Sequence, residues 1–539
     1  MKITLRRRRL GITAVAAAAV LAAGVPAGAV AAAGPGTAKA GTGQAASART
    51  AAAGSAAGTT ATVSATAAQT MAGFGASGDW WVNPVQYFPA SAQRHIADLL
   101  FTDQGLALSQ YRYNIGGGGV GADKPTGGES ELGFQDRAPE TFYVAPGIYN
   151  WSHDAGGTTF LRYAAADRVP DIVANVNSAP PEFTTNGQSC GGELNSSDVQ
   201  AYADYLTTVI THIHDAWHIT IPYISPMNEP DYTRSDCTQE GMEVPPSLRA
   251  TVVQDLGKDL AAQAPYAHII ADESSDVGSQ FIPELAQWMG VAGTSQYVAA
   301  LATHTYDFPS DATMQQAAAL AQQYGKQLWA TEICCMIYNG PSSSPSYGEQ
   351  FDPTITGGLS MAQIIYEDLT SGNVSAFDWW VALSASEACD PTQPSCMTTV
   401  NSTGWNDGLL YFDPNFATDQ NYNVYPTKRF YTLGQFSRFV RPGAVRHDVT
   451  GVPSGVQALA FQTQGQWEIV VINENAAGSA PTTFGLQLPG SGKLRPEGTY
   501  QTSATTSLSR TANPPVQGSA ATLTTPAQSV TTFLLGQSG

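Results

Sequence analysis

Between residues 70 and 440, short apolar runs alternate with longer amphipathic stretches. Eight runs carry the β-branched, aromatic or small apolar residues that favour strands: 71–75, 106–114, 171–177, 219–225, 267–271, 298–304, 327–333 and 374–383. Helical spacing of apolar positions predicts helices over 90–101, 159–167, 197–216, 246–263, 282–289, 312–324, 356–371 and 425–439. Eight strand–helix pairs predict an α/β fold, a (β/α)8 TIM barrel with long loops. A doubly wound open sheet would give a similar string.

After Arg441-Pro442-Gly443 the texture changes. Residues 442–539 hold β-rich runs (456–462, 467–473, 482–488, 498–505, 530–535) separated by Gly, Pro, Ser and Thr, with no helical period, and predict a C-terminal β-sandwich. The catalytic barrel is therefore expected over 61–441, with 61–69 able to lend a strand to the sandwich. Ahead of it, 34–60 is almost wholly Ala, Gly, Ser and Thr, a tether that buries no core. Residues 1–33 have the form of an export signal. Lys2 and Arg6 to Arg9 precede an apolar run to Val25, and small-residue sites follow at Ala27-Gly28-Ala29 and Ala31-Ala32-Ala33. The run is short and Ala-rich for a membrane anchor. A secreted, extracellular protein without membrane association is expected, by general or twin-arginine export.

Composition sharpens this picture. Charged residues make up 13% of the 539 and the net charge is −19. Removing 1–60 leaves 18 basic against 44 acidic residues, a net −26. Such a surface repels phosphate backbones, so nucleic acid is not an expected partner, and a neutral or weakly charged substrate is. Six cysteines in an exported chain suggest disulfides: Cys190, Cys237, Cys334, Cys335, Cys389 and Cys396. Fifteen full pairings are open. Cys389 and Cys396 are close enough for a local staple, and Cys334-Cys335 could bond to each other or elsewhere. No C-x-x-C or paired His accompanies them, so no metal site is expected.

Two motifs carry chemistry. Asn228-Glu229-Pro230 follows the fourth expected strand, and Thr331-Glu332 ends the seventh. Either alone is ordinary turn chemistry. Together, at strand ends that face each other across a barrel mouth, they are two carboxylates placed for glycoside cleavage. Other groups near the mouth are His304, equally readable as a substrate contact or a structural histidine, and Asp272 and Glu273, read as supporting groups. Trp80-Trp81 and Trp379-Trp380 can offer flat apolar faces to a sugar. Neighbours on a strand point to opposite sides, so one of each pair at most faces the cleft. The run Gly116 to Gly119 lacks the Lys-Ser/Thr of a phosphate loop and is read as tight turns or close backbone approach.

On these residues the chain resembles glycoside hydrolase family 30, most like its β-1,6-galactanase branch. The matching stretches are GFGASGDWW (73–81), LSQYRYNIGGGG (108–119), NSAPPEF (177–183), SPMNEPD (225–231), THTYD (303–307), WATEICC (329–335) and FDWWVAL (377–383). The resemblance implies a retaining mechanism with Glu229 as acid/base and Glu332 as nucleophile, and no cofactor. It implies that Asn228 binds the sugar 2-hydroxyl and that Arg112 and Tyr306 hold Glu332. Trp379 would form the sugar platform; Trp80, level with Trp81, and Asn177 and His304 are further candidate substrate contacts. The expected activity is that of an O-glycosyl hydrolase acting as a monomer on a polysaccharide or glycan side chain, β-1,6-galactan first. β-1,6-Glucanase, xylanase or exo-acting glycosidase are the alternatives, and an inactive carbohydrate-binding protein is the rival from another class. A second rival, an esterase using Ser189 in the string GQSCG, lacks the strand–turn–helix context of a nucleophile elbow.

Overall fold

The computed structural model describes residues 59–119, 137–232, 234–235, 237–338 and 345–538. The expected export signal 1–33, and all of the expected tether but its last two residues, lie outside them. Eight parallel strands close into a barrel: Gly73–Ser77, Gln110–Asn114, Asp171–Asn175, Tyr223–Ser225, His268–Ser274, Val298–His304, Gln327–Glu332 and Ala376–Ser384. Closure comes from the seventh strand pairing with the eighth, Trp329 opposite Ala376. All eight expected strands are present, and the open-sheet alternative is excluded. The fourth is the most shortened, from seven residues to three. Pro222 has no N–H to donate, so pairing starts only at Tyr223.

The barrel follows strand alternation. Val173, Ile270, Ala300, Ala302, Trp329 and Ala376 fill the interior, while Phe74, Tyr111, Ile172, Leu301, Leu328 and Phe377 join the core beneath the helices. The interior is packed so closely that a Cβ on Gly75 would lie 2.2 Å from Asp378 Oδ1.

The β-rich region is one hydrogen-bonded sheet folded over its own small core, which includes Val63, Ala458, Ile469, Phe484, Leu523 and Phe533. Its central strands are Val456–Thr463, Gln466–Asn473 and Ser529–Gln537. The N-terminal strand Thr60–Thr70 runs antiparallel to Val445–Thr450 and parallel to Thr482–Gln487. Val445–Thr450 and Ala520–Thr525 are strands that the apolar pattern does not mark, because their polar residues alternate with few hydrophobics. The run Ile469-Val470-Val471-Ile472 lacks alternation because both faces are buried. Ile469 and Val471 face the sheet's own core, and Val470 and Ile472 join the core of the barrel. Gln435 of the last barrel helix, Lys428–Ser437, bonds across to Thr502 and Thr532. Barrel and sandwich thus form one compact unit.

The cysteines pair as Cys190–Cys237, Cys334–Cys335 and Cys389–Cys396. By loop-closure entropy the first, 47 residues apart, constrains the unfolded chain by about 4 kcal/mol. The vicinal pair closes no loop of consequence.

The shared core sets one expectation. Ile472→Ala should cost about 2–5 kcal/mol and lower a single calorimetric transition. Separate barrel and sandwich transitions, with only one of them shifted, would contradict the shared core.

Candidate active site

The site is assembled at the C-terminal ends of the barrel strands. After the fourth strand, Glu229 adopts left-handed backbone geometry (φ 44°) and its N–H donates to the Glu273 carbonyl at 2.9 Å. The seventh strand carries a bulge. Thr303 pairs with Ala330, but the next residue, His304, pairs with Glu332, so Thr331 is extra. Without that residue Glu332 would point outward with Leu328 and Ala330; with it Glu332 shares the inward side of His304. One oxygen of Glu229 and one of Glu332 come within 4.8 Å of each other. Both carboxylates line a cleft of about 480 Å³ together with Trp80, Asn228, Arg234, Tyr306 and Trp380.

Glu332 is held at both oxygens. Arg112 donates to Oε2 at 2.8 Å and Tyr306 to Oε1 at 2.7 Å. Arg112 also donates to Asn228 Oδ1 at 3.1 Å, which fixes that amide beside the carboxylate. His304 lies 3.3 Å from Glu229 through Nδ1 and 3.0 Å from Glu273 through Nε2. With a carboxylate on each ring nitrogen, both nitrogens must donate, so the ring is an imidazolium. Burial opposes that charge, but Glu332, Glu229 and Glu273 raise His304 to about 10.

The two carboxylates differ in their surroundings. Burial would raise Glu229, yet Arg234, in direct contact, and His304 outweigh it and hold the group well below the usual carboxylate range. Burial and the charge of Glu229 raise Glu332 against His304 and Arg112. Among the described residues, Glu229, His304 and Glu332 are the one group with metal-ligand spacing. A protonated His304 has no lone pair to give a cation.

Several expectations need correction. Trp379 is fully buried, faces the helices with Phe377, and donates its indole N–H to the Asp407 carbonyl. Trp380 lines the cleft instead, because it shares the inward side of Ala376 and Asp378. Trp80 faces the cleft, edge-on to Trp380 at 5.2 Å, whereas Trp81 packs on Phe160 and bonds to the Ser77 carbonyl. Asn177 does not reach the cleft; with Asn114 and Asn175 it donates to buried Asp79. Arg112 and His304 are fully buried beneath the carboxylates, so they orient them and do not line the cleft. Asn228 and Tyr306 do line it. Glu273 supports Arg112 and His304, and Asp272 pairs with Arg249. Gly117 and Gly119 donate their N–H groups to Glu240, which makes the glycine run structural. Ser189 is buried and donates to the Gly117 carbonyl.

Sequence reasoning missed Arg234, the cleft-lining Cys334 and Cys335, and the loop aromatics Tyr347 and Trp405. Apolar periodicity cannot find loop residues. The signal for Trp380 was available: Asp378 marks the inward side of its strand, and Trp380 follows two residues later.

The family model for O-Glycosyl hydrolase family 30 matches residues 59–392. An endo-beta-1,6-galactanase of Hypocrea rufa is 23% identical over 455 residues, 79% of this chain and 83% of that protein. The glucuronoxylanase XynC of Bacillus subtilis (strain 168) is 26% identical over 362 residues, 66% of this chain and 70% of that protein. The catalytic domain of GH30 xylanase C from Talaromyces cellulolyticus shares the fold with TM-score 0.65 and 23% identity, covering 88% of this chain and 99% of that one.

The charge network predicts two titrations. Arg234→Gln removes the main cation holding Glu229 down, so the Glu229 carboxyl, followed by carbon-detected NMR, should titrate at higher pH than in the wild type; an unmoved titration would contradict the pairing. His304 binds its proton more tightly folded than unfolded, so its contribution to stability is complete below about pH 6.5 and is lost as pH rises through about 10. The melting temperature should fall across that window, and less steeply in His304→Gln; parallel curves would remove His304 from the network.

Proposed function

The chain belongs to O-glycosyl hydrolase family 30, and from that premise we propose that it is an exported, retaining β-glycosidase that cleaves β-1,6-galactan. The observation that carries the mechanism is that one oxygen of Glu229 and one of Glu332 lie within 4.8 Å of each other in one cleft, with Glu332 clamped at both oxygens. Retaining enzymes keep their carboxyl groups roughly 5–5.5 Å apart, and inverting ones leave a wider gap for water.

In the first step Glu332 attacks the anomeric carbon. The bond to the glycosidic oxygen breaks with its electron pair, and Glu229 supplies the proton that this oxygen takes up. In the second, Glu229 takes a proton from water, whose oxygen attacks the anomeric carbon and releases Glu332. Arg112 and Tyr306 keep the nucleophile oriented throughout. Asn228, fixed by Arg112, faces the 2-hydroxyl of the attacked sugar, and Trp80 and Trp380 supply apolar walls for its C–H face. Glu229 can deliver its proton once the arriving sugar displaces Arg234, whose charge otherwise keeps it ionised.

The galactan reading is supported by the endo-beta-1,6-galactanase relative, which spans most of both chains. The glucuronoxylanase relative supports xylan as the second reading. Export is supported by three disulfides, the basic and apolar N-terminal segment, and the acidic surface.

Linear β-1,6-galactan, β-1,6-glucan, β-1,3-glucan and xylan should be offered in parallel and the products sized by chromatography. Activity on xylan alone would replace the galactan assignment. Glu332→Gln should lose several orders of magnitude in kcat, and the first product seen by NMR should keep the β-configuration; an inverted anomer would reject the two-step route. Trp380→Ala should raise KM about tenfold while Trp379→Ala acts mainly on stability, and the reverse pattern would restore Trp379 as the platform.

A further inference from the structure

Cys334 and Cys335 are joined to each other two residues beyond Glu332, and both line the cleft. They are only a few per cent exposed, as are Glu229 and Glu332, so they belong to the floor and not to the rim. The Cys334 sulfur lies 3.9 Å from the Tyr306 hydroxyl, the group that donates to Glu332. The pair is anchored on two sides: the Cys335 N–H meets the Asn406 carbonyl at 3.4 Å, and the Cys335 carbonyl accepts from Gly348 at 3.0 Å.

Loop-closure entropy gives this bond little to do for folding. A disulfide constrains the unfolded chain in proportion to the logarithm of the loop it closes, and adjacent residues close almost none. Cys190–Cys237, by contrast, spans 47 residues. What the vicinal bond does change is the surface chemistry of the floor. Two thiols would carry S–H donors, whereas a disulfide presents two polarizable sulfurs with no hydrogen to donate. The cleft it shares is lined by polar groups, among them Asn228, Asp276, Asp307 and Asp407, and by aromatic faces such as Trp80 and Trp380. An apolar patch among them fits the part of a pyranose that carries C–H groups and no hydroxyl.

The geometry points to the Cys334–Cys335 disulfide as a sugar-contact surface, seating the apolar edge of the ring that Glu332 attacks. This inference rests on the glycosidase reading and adds a binding determinant to it. The contact forms in the ground state and persists through the reaction. Its loss therefore raises KM and leaves kcat in place.

The test compares wild type, Cys334→Ala/Cys335→Ala and Cys334→Ser/Cys335→Ser on linear β-1,6-linked galactotetraose. Cys389→Ala/Cys396→Ala, whose disulfide does not line the cleft, serves as the control. Expected for the alanine variant is a KM raised about tenfold, kcat within about twofold, and a melting temperature within about 2 °C of wild type. The serine variant should be weaker still, since it places hydroxyls on the apolar floor, and the control should keep its KM. An unchanged KM in both variants overturns the inference. So does a failure of both to fold, or a large drop in melting temperature with kcat falling alongside, because either makes the bond structural. A wild type without activity on any β-linked polysaccharide strikes the glycosidase reading and this inference together. An active wild type with variants of unchanged KM strikes the inference alone.

Discussion

Three carboxylates and three cations share one nearly dry volume at the barrel mouth. Glu229, Glu273 and Glu332 meet Arg112, Arg234 and His304, and of the six only Arg234 is appreciably exposed. Taking so many charges out of water is tolerable only if each finds an opposite partner and hydrogen bonds in good geometry. The pairing here interlocks. Arg112 bridges Glu332 and Glu273, and His304 bridges Glu229 and Glu273. Glu273 is thereby the counter-ion shared by both bridging cations. Removing any one member would unbalance three charges of each sign in a nearly dry volume, so the arrangement constrains the strands that carry it as much as the strands constrain the arrangement.

The barrel is what makes such a cluster affordable in geometry. Its strands are fixed by backbone pairing on both sides, and closure leaves no edge that could slip. Arg112 and His304 project inward by simple alternation, whereas Glu332 needs the extra residue at Thr331 to be turned in beside them. Regular pairing supplies the scaffold, and one local irregularity re-aims the side chain that matters most. The sandwich adds rigidity from outside, since Val470 and Ile472 complete the same core on which the eighth strand rests through Phe377.

What could be read from the chain follows from this division. Strands and helices were legible because burial imposes a period on them, and the two glutamates because they end strands four and seven. The Trp379 assignment failed although the means to avoid it was present: Asp378, a polar residue in an apolar strand, marks the inward side that Trp380 shares. Asn177 misled because a polar residue at a barrel mouth can serve a buried carboxylate, here Asp79, as readily as a ligand. Arg234 had no signature at all. It sits on a loop, its role depends on a contact five residues back in sequence, and no periodicity governs where a loop places a guanidinium. Spacing suggested the local Cys389–Cys396 staple, but it could not decide between a vicinal Cys334–Cys335 bond and longer pairings.

The contrast between the partners of the two glutamates bears on how the proposed chemistry is timed. Glu332 is held by Arg112 on a barrel strand and by Tyr306 just beyond another, groups that cannot leave without disturbing the barrel. Glu229 is held down chiefly by Arg234, on the loop after the fourth strand and about one-quarter exposed. Glu229, the proposed acid, is thus held ionised, while Glu332, the proposed nucleophile, is pushed upward by burial and by its neighbour's charge. On the proposed mechanism a sugar entering the cleft displaces Arg234 and excludes water, and Glu229 then loses its strongest stabilising charge. Once Glu229 is neutral, its charge no longer raises Glu332, whose own clamp is intact. On the proposed mechanism, substrate arrival at Arg234 therefore shifts the proton balance of both carboxylates, with His304 remaining beside Glu229.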